Sequence, residues 1–519
     1  MPPPVPHRHS AERWIIVAIL VVAAAFRIAA LDIKPVHFDE AVNGSFVDRI
    51  TRFGYYHYEP SNFHGPLHFY LLFVFQTLLG RNLWALRLPT MLASVGCVAL
   101  MLAFRPYWPR RACLLAAAAM ATSPAMVFYG RDAIHETWLV FFLMLAAWGI
   151  VGLWSEGRRT HLWAAGLGVS GMILTKETYV LHLAAMSGAA LLVVWTRRAT
   201  PERAALFHPQ RQEWARRDAL RVAAVCIGLI LFFYSGGLLD WPARVPADDE
   251  PRGSVAGLYE TFAFWGRTGL AEESGHEKPW SYWLELVARY EWPALIGFAG
   301  MCIGAASSRR DPRTQWFALH GVAAIAAYTF IPYKTPWCLI SILWPCHFFF
   351  GIAIDRALIT LDRWMVALTA LGAGLFSCAV CWQLNFRDFT NEDEPYVYVQ
   401  TLPEIHKLLD PLTMLVRVDP IYFHIPGYIM TTDHHPFPWL LGDFTQARML
   451  DPDDEPDPPD ADFLLIDEAR VEEVEARLTQ NYFKEILRVR GNAEDASVLY
   501  LDASRFRVCF PGRAPEFVR

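Results

Sequence analysis

Carboxylates and cations occur together at several points where an apolar stretch of the sequence ends. Paired carboxylates can supply a general base, which takes the proton of an attacking hydroxyl. Arg and Lys side chains suit the binding of a phosphate group. Together these residue types indicate group transfer from a phosphate-bearing molecule. The residues concerned are Asp39, Glu40, His64, Arg87, Arg131, Asp132, Glu136, Lys176, Glu177, Tyr333 and Lys334.

Each of these residues also has an ordinary structural explanation when it is taken alone. Asp39 and Glu40 suit a solvated loop, and Arg87 suits an arginine that extends toward the membrane surface. Asp132 and Glu136 suit a helix cap, and Lys334 suits an interfacial anchor. Six separate segments nevertheless bring acids and bases to one predicted face of the membrane. Charges near membrane depth are costly unless they are paired, so this convergence favours a functional site.

The composition indicates which elements must position these residues. The chain has 519 residues, of which 54% are hydrophobic and only 19% are charged. A soluble globular protein has about 25% charged residues. The composition therefore predicts a polytopic membrane protein and excludes a disordered chain, a collagen-like chain and a compact cytosolic enzyme.

Eleven apolar runs are long enough to cross a bilayer, which takes about 20 residues in a helix. The short run 67–79 either crosses as a twelfth span or lies in the interface. We expect about eleven crossings, and the alternatives are twelve or thirteen. The predicted crossings lie near residues 14–31, 84–104, 112–130, 137–155, 162–175, 178–196, 219–239, 291–307, 314–331, 337–354 and 364–383.

The charges of the connecting segments predict the orientation of the chain. If 67–79 does not cross, every strongly basic connection falls on the same side as the N-terminus, and this side is then cytoplasmic. We therefore expect a prokaryotic inner-membrane protein with a cytoplasmic N-terminus. The opposite side holds the outer loops 32–83 and 240–290 and the C-terminal tail.

The tail differs from the rest of the chain in charge and in pattern. Residues 385–519 carry 26 acidic and 13 basic side chains, a net charge of −13, whereas the whole chain carries −6. We expect a helical membrane domain over 1–384 and a soluble extracytoplasmic α/β domain over 385–519. No domain is basic enough to favour nucleic acid. The tail pattern predicts strands at 412–418, 462–467, 482–489 and 497–502, a helix at 468–480 and a solvated loop at 451–462.

Several segments resemble the GT-C superfamily of glycosyltransferases. HFDEAVNGSF after the first crossing, followed by HGPL, resembles the first luminal loop of the protein O-mannosyltransferases. The aminoarabinose transferases of lipid A have a similar loop. WALRLPTMLASVG and SPAMVFYGRDAIHETWLVFF resemble the next two signatures of that superfamily. IPYKTPW and HPFPWLLGDF resemble a narrower prokaryotic branch that has been labelled as associated with flippase activity.

The resemblance implies a membrane all-α GT-C fold and a specific activity. Such enzymes move a sugar from a polyprenyl-phosphate donor to an acceptor hydroxyl on the outer face of the membrane, usually with inversion. By this resemblance, Asp39 is the general base and Glu40 orients it. The resemblance assigns binding of the donor phosphate to Arg87, Arg131, Lys176, Lys334 and Tyr333. It assigns binding of the sugar or acceptor to His64, Asp132, Glu136 and Glu177. The acceptor is a protein, a lipid or a glycan. The resemblance assigns no certain cofactor, and a requirement for a divalent cation is the alternative.

Two other functions compete with this interpretation. A flippase or transporter of lipid-linked sugars would use the same charges along a substrate path, but would place them near the midplane of the membrane. A metal hydrolase built on His37, Asp39, His64 and His68 lacks a recognised ligand spacing. The triplet at 433–435, Asp-His-His, resembles a phosphoesterase motif but is best explained as a polar turn.

Overall fold

The computed structural model describes residues 7–59, 62, 64–197, 213–239, 254–264, 275–307, 311–491 and 496–519. The chain folds into two compact units. The helical unit consists of Met1–Leu31 and Phe53–Phe389, and the sheet unit consists of Asp32–Arg52 and Thr390–Arg519. The predicted outer loop 32–83 is therefore divided, because residues 32–52 fold with the C-terminal residues. Most of the other predicted outer loop, 240–290, lies outside the described residues.

Every apolar run that we predicted to cross the membrane is helical. Five helices are long and apolar enough to span a bilayer, and a sixth span results if one bent pair is counted, among the residues described. The chain is thus an integral membrane protein, while the count of eleven crossings stays a prediction. The helices of this unit are α1 (His7–Ile28), α3 (Leu67–Leu79), α4 (Leu83–Ala103), α5 (Arg110–Thr122), α6 (Pro124–Phe128), α7 (His135–Ser155), α8 (Arg159–Ile173), α9 (Tyr179–Thr196), α10 (Arg216–Tyr234), α11 (Ser254–Phe264), α12 (Tyr282–Tyr290), α13 (Trp292–Ala306), α14 (Pro312–Phe330), α15 (Leu339–Thr360) and α16 (Arg363–Trp382).

Small residues let helices α7 and α8 approach each other closely. A Cβ atom added to Gly149 would overlap the backbone of Ala165, and one added to Gly168 would overlap the backbone of Ala146. Close backbone approach at small residues is the usual way in which helices associate in a membrane. This contact fixes α7, whose first turn carries Glu136, against α8, which leads into the segment with Lys176.

The predicted span 112–130 is bent by 60° between α5 and α6. Ser123 stands at the break, where it starts α6. The buried carboxylate of Glu291 accepts hydrogen bonds from the Ser123 hydroxyl at 2.8 Å and from the Ala125 backbone N–H at 2.7 Å. These bonds satisfy backbone and hydroxyl groups that a break in a helix leaves without partners. The bend leads into Arg131 and then into the start of α7.

The sheet unit contains a five-stranded mixed sheet. Its strand order is β2-β1-β3-β5-β4; β1 is parallel to β2 and β3, and β5 is antiparallel to β3 and β4. The strands are β1 (Gly427–Met430), β2 (Ala447–Met449), β3 (Phe463–Asp467), β4 (Tyr482–Leu487) and β5 (Ser497–Asp502). The helices of this unit are α2 (Phe38–Phe53, whose last residue is assigned to the helical unit), α17 (His406–Val418), α18 (Phe437–Leu440) and α19 (Val471–Arg477).

The three predicted strands at 462–467, 482–489 and 497–502 are confirmed, and the predicted strand at 412–418 is wrong. Residues 412–418 form the second half of α17. Leu408, Leu412 and Leu415 are buried there at helical spacing, on one face of the helix. The predicted helix at 468–480 is shorter, since a 3-10 turn at Glu468–Arg470 precedes α19. The predicted loop at 451–462 contains one 3-10 turn, Pro452–Asp454.

Both faces of the sheet are covered, so its central strands alternate between two apolar clusters. Phe463 and Leu465 of β3 pack with Leu412 of α17 on one face. Leu464 and Ile466 pack with Val474 of α19 on the other face. Successive side chains of a strand point to opposite faces, which explains why β3 reads as a continuous apolar run.

Helix α2 is an integral part of the sheet unit, so we expect residues 385–519 alone to be unstable. A Cβ atom added to Gly44 of α2 would overlap the indole ring of Trp439, so the helix backbone lies directly on α18. Without α2, this apolar surface is exposed to water. We expect a fusion of residues 32–52 to 390–519 through a flexible linker to unfold at a higher temperature than residues 385–519. Circular dichroism measures both transitions, and equal midpoints would contradict the assignment of α2 to this unit.

Candidate active site

A buried ionic cluster joins three separate segments of the helical unit. The Lys176 amino group lies 2.7 Å from Glu136 Oε1 and 3.5 Å from Glu177 Oε1. The second oxygen of Glu177 lies 2.7 Å from His64 Nδ1. The Lys176 side chain is 7% exposed and both glutamates are 3% exposed, so these charges depend on one another. The structure therefore brings together four of the predicted site residues.

The local structure explains why these side chains point at each other. Glu136 lies in the first turn of α7, where the helix dipole favours a negative charge. Lys176 and Glu177 lie in the short connection between α8 and α9. The backbone of residues 65–67 is bound to that connection, because Gly65 N donates to Thr175 O and Leu67 N donates to Leu174 O. These bonds hold His64 beside Glu177.

The pairing fixes the charges of the cluster. Burial alone would raise the pKa of the Glu177 carboxyl, but Lys176 and His64 lower it to about 2. Burial alone would lower the pKa of the Lys176 amino group, but Glu136 and Glu177 hold it well above its usual range. The cluster thus contains one cation and at least one anion at neutral pH.

Two further histidines, His68 and His135, lie beside His64, although the sequence analysis did not assign them to the site. The ring of His135 lies 4.6 Å from that of His64 and 4.2 Å from that of His68. His68 Nε2 bonds to the carbonyl of Ala133 at 3.0 Å, which ties this ring to the residue after Asp132. The signal for both was present in the sequence, since His68 stands one helical turn after His64 and His135 precedes Glu136. In the described ranges, no group of three His, Cys, Asp or Glu side chains is arranged to hold a metal ion.

Arg131 binds the end of helix α1. Its NH1 group donates to the carbonyl oxygens of Phe26 and Ala29, at 3.0 and 2.7 Å, and its NH2 group donates to Ala30 at 2.6 Å. The guanidinium also lies 4.8 Å from the ring centre of Phe386. The last carbonyls of a helix need such donors. This placement gives Arg131 a structural role at the end of α1, and its phosphate-binding role stays a prediction.

Arg87 and Arg27 contact the same region. Arg87 NH1 donates to the carbonyl of Leu31 at 2.9 Å, just beyond the end of α1. Arg27, which the sequence analysis did not include, donates through Nε to the Ser94 hydroxyl at 2.7 Å. Both arginines are completely buried. Arg87 and Arg131 therefore bind the carbonyls at and just beyond the end of α1, and Arg27 ties the last turn of α1 to α4.

Lys334 and Tyr333 lie in the connection between α14 and α15. The Lys334 amino group donates to the carbonyls of Ile331 and Lys278, at 2.6 and 3.1 Å. Burial lowers the pKa of this amino group. The ring of Tyr333 lies 4.9 Å from that of His276. The predicted pair thus joins the residues before α15 to the residues before α12.

Asp39 and Glu40 lie in the sheet unit, at the start of α2, and their environments differ. Glu40 is completely buried, and its Oε2 accepts a hydrogen bond from His37 N at 2.8 Å. Asp39 is half-buried, and its backbone N–H donates to His37 Nδ1 at 3.1 Å. Glu40 therefore caps the helix that carries Asp39, while the Asp39 carboxylate is the one of the pair that solvent reaches.

The middle of the helical unit matches a known enzyme family. Residues 63–233 match the dolichyl-phosphate-mannose–protein mannosyltransferase family. The Bacillus subtilis protein YkcB, which is named provisionally as a mannosyltransferase, is 28% identical over 166 residues. This alignment covers 30% of the chain and 23% of YkcB, so the chain spans about a quarter of the length of the curated relative that it matches.

The whole chain also matches solved structures. ArnT from Cupriavidus metallidurans, solved with bound undecaprenyl phosphate, aligns with a TM-score of 0.62 at 14% identity, over 94% of this chain and 98% of ArnT. The chain has the GT-C fold. The oligosaccharyltransferase of Archaeoglobus fulgidus aligns with a TM-score of 0.50 at 12% identity, over 93% of this GT-C chain and 74% of the other. The fold expected from the resemblance of the first outer segment is therefore confirmed.

Proposed function

We propose that this GT-C chain is a membrane glycosyltransferase that moves a sugar from a polyprenyl-phosphate donor to an acceptor hydroxyl. The main support is the likeness over nearly the whole chain to ArnT, which was solved with undecaprenyl phosphate bound. The match of residues 63–233 to a family of lipid-phosphate-sugar transferases agrees with it. The acceptor, a protein, a lipid or a glycan, approaches from the outer side of a prokaryotic inner membrane.

In the proposed reaction, Asp39 takes the proton of the acceptor hydroxyl as its oxygen attacks the anomeric carbon of the sugar. The bond from that carbon to the phosphate oxygen breaks, and the electron pair leaves with the polyprenyl phosphate. Attack opposite to the leaving group inverts the anomeric centre. A phosphate leaves without being protonated, so one base is sufficient and cations suit the phosphate. Glu40 acts by holding the start of α2.

The charges of the buried cluster favour a role in binding the sugar. Lys176 is surrounded by Glu136 and Glu177, so little of its positive charge is left for a phosphate. Carboxylates and imidazoles that are held in place suit the hydroxyl groups of a sugar. We therefore assign Glu136, Glu177 and His64 to the sugar, with Asp132 beside them in sequence. Lys176 keeps the Glu177 carboxylate charged. Arg87, Arg131, Lys334 and Tyr333 remain the residues proposed to bind the phosphate of the donor.

A donor panel tests the function. The purified chain in lipid nanodiscs is incubated with undecaprenyl phosphate linked to mannose, glucose, galactose, N-acetylglucosamine or aminoarabinose, and release of undecaprenyl phosphate is measured. We expect release from one of these donors, and less release from Asp39→Asn. Movement of the intact sugar-lipid across sealed vesicles, without its consumption, would instead establish the flippase.

The charge states of the cluster predict a feature of the pH profile. Because folding lowers the pKa of Glu177 from 4.5, its charge is complete above that pH and is lost as the pH falls toward 2. Because folding raises the pKa of Lys176 from 10.5, its charge is complete below that pH. We expect Glu177→Gln to lower the transfer rate without moving either limb of the rate profile between about pH 6 and 9. A displaced limb would show that Glu177 titrates in this range.

The orientation is tested by reporter fusions. The basic connections predict that residue 108 is cytoplasmic and that residue 400 is outside. Fusions to alkaline phosphatase, which is active only outside the cytoplasm, are expected to be inactive at residue 108 and active at residue 400. The reverse pattern at either position would contradict the proposed topology.

A further inference from the structure

The segment before Asp39 is joined to the C-terminal part of the sheet unit by isolated antiparallel bridges and a side-chain hydrogen bond. His37 forms an antiparallel bridge with Gln400, and the neighbouring Thr401 forms an antiparallel bridge with Arg490. Gln400 Nε2 donates to the carbonyl of Pro35 at 2.9 Å. The segment 398–401 therefore lies between residues 35–37 and residue 490. Hydrogen bonds along both of its edges hold the backbone just before Asp39.

Two side chains of the C-terminal part contact Phe38, the residue next to Asp39, and a third holds them in place. The guanidinium of Arg490 lies 4.7 Å from the ring centre of Phe38, and the ring of His435 meets Phe38 edge to face at 5.4 Å. Arg490 NH2 lies 2.5 Å from Asp433 Oδ2. The other oxygen of Asp433 accepts a hydrogen bond from His435 N at 3.0 Å. We call Asp433, His435 and Arg490 the Phe38 clamp.

The Phe38 clamp follows the carboxyl end of β1, next to the carboxyl end of the parallel strand β3. The chain leaves these two strands toward opposite sides of the sheet. Residues 431–435 follow β1, whose chain continues to β2 on one side. Asp467 ends β3, whose chain continues to β4 and β5 on the other side. The Asp467 carboxylate accepts hydrogen bonds from the backbone N–H and the hydroxyl of Thr432, at 2.6 and 2.7 Å. Functional groups of open α/β sheets gather at such points.

A polar turn at Asp433-His434-His435 therefore does not account for the contact between His435 and Phe38. A polar turn would need no aromatic partner, whereas His435 packs edge to face on Phe38. An exposed Asp would need no arginine, whereas Arg490 is only 15% exposed and contacts both Asp433 and Phe38. The clamp connects the carboxyl ends of β1 and β3 to the residue beside the proposed base.

We propose that Asp433, His435 and Arg490 are positioning residues, which hold Phe38 and thereby place the Asp39 carboxylate for proton transfer. This inference rests on the proposed role of Asp39 and gives the sheet unit a part in the reaction. Displacement of a reacting group by about 1 Å costs about 10²-fold in rate. Loss of the clamp consequently lowers kcat and leaves the KM for the donor unchanged.

Activity measurements distinguish positioning from general stability. We expect Arg490→Ala to lower kcat by about 10–100-fold with an unchanged KM for the donor found in the panel above. Arg490→Lys keeps a cation near both Asp433 and Phe38 and restores most of the rate. Arg470→Ala is the matched control, since Arg470 of the same unit is 20% exposed and lies 2.7 Å from Glu455. A loss of kcat with Arg470→Ala as large as with Arg490→Ala would overturn the proposal.

A disulfide tests the geometry through its formation and tests the positioning of Asp39 through kcat. Opposed residues of an antiparallel pair have Cα atoms about 4.5–5.5 Å apart, which suits a disulfide. We expect the double variant His37→Cys/Gln400→Cys to form this bond on oxidation. In the Arg490→Ala background we expect the bond to restore kcat relative to the same variant after reduction, since both forms lack the bond from His37 Nδ1 to Asp39 N. If the bond does not form, or forms without restoring kcat, the clamp is wrong. If the bond forms but the wild-type chain consumes no donor, the transferase function fails instead.

Discussion

Asp39→Asn is expected to lower kcat by about 10²–10⁴-fold, which is the usual contribution of a general base. The amide keeps the shape of the side chain but cannot accept the proton of the acceptor hydroxyl. The backbone N–H of Asp39, which bonds to His37 Nδ1, is unaffected, so the start of α2 is preserved. Binding of undecaprenyl phosphate is expected to be unchanged. Single-turnover transfer and lipid binding, measured on the same purified variant, separate these two effects.

Two variants control for this prediction. Asp32→Asn changes an exposed aspartate of the same unit and is expected to leave the rate unchanged. Glu40→Gln weakens the bond to His37 N and is expected to lower the stability of the sheet unit as well as the rate. If Asp39→Asn transfers sugar at the wild-type rate, the base lies elsewhere, and Asp132 and Glu136 are the next residues to replace.

Lys176→Met is expected to destabilise the helical unit by about 3–5 kcal/mol, because it leaves buried carboxylates without their cation. Glu136 and Glu177 both lie within 3.5 Å of the Lys176 amino group. Replacing one of these glutamates in the Lys176→Met variant is expected to recover part of the lost stability. The double variant Lys176→Met/Glu136→Gln should therefore unfold later than Lys176→Met in a titration with sodium dodecyl sulfate.

The matched control for Lys176 is an exposed lysine that is paired at a similar distance. Lys407 lies 3.1 Å from Glu404, and both side chains are 40% exposed. Exposed pairs of this kind contribute less than about 1 kcal/mol, so Lys407→Met should change stability little. If the two lysine variants lose the same stability, water reaches the Lys176 cluster and its charges are not interdependent.

The sequence predicted most of the helices correctly because their signal is local. Long apolar runs mark membrane helices, and basic residues between them mark their ends. The strand predicted at 412–418 is wrong because a pattern of seven residues is too short to distinguish a strand from a helix. The wider segment from His406 has a leucine on one face at positions 408, 412 and 415, and Pro411 stands inside the helix. Strands β1 and β2 were missed because three or four residues carry too weak a pattern.

The candidate site was predictable in its residue types but not in its pairing. The sequence identified Glu136, Lys176 and Glu177 as ionisable groups near the ends of membrane helices. It could not show that Lys176 is shared between both glutamates, or that Arg131 binds the last carbonyls of α1, because these contacts join residues far apart in the chain. The same reason explains why Asp39 was not expected to fold with residues 390–519.

The division of the sheet unit also constrains how the protein can be made. Helix α2 leaves the ribosome early, whereas the residues that complete its unit follow the 337 residues of Phe53–Phe389. At about 5–20 residues per second, roughly 20–70 s separate the two during synthesis. Throughout this interval α2, whose residues Phe46, Val47 and Ile50 are buried in the folded chain, lacks the C-terminal residues of its unit, among them Trp439 beside Gly44. In the predicted topology, the first outer segment is therefore incomplete outside the cytoplasm until residues 390–519 follow it, and holding chaperones are expected to bind it during that interval.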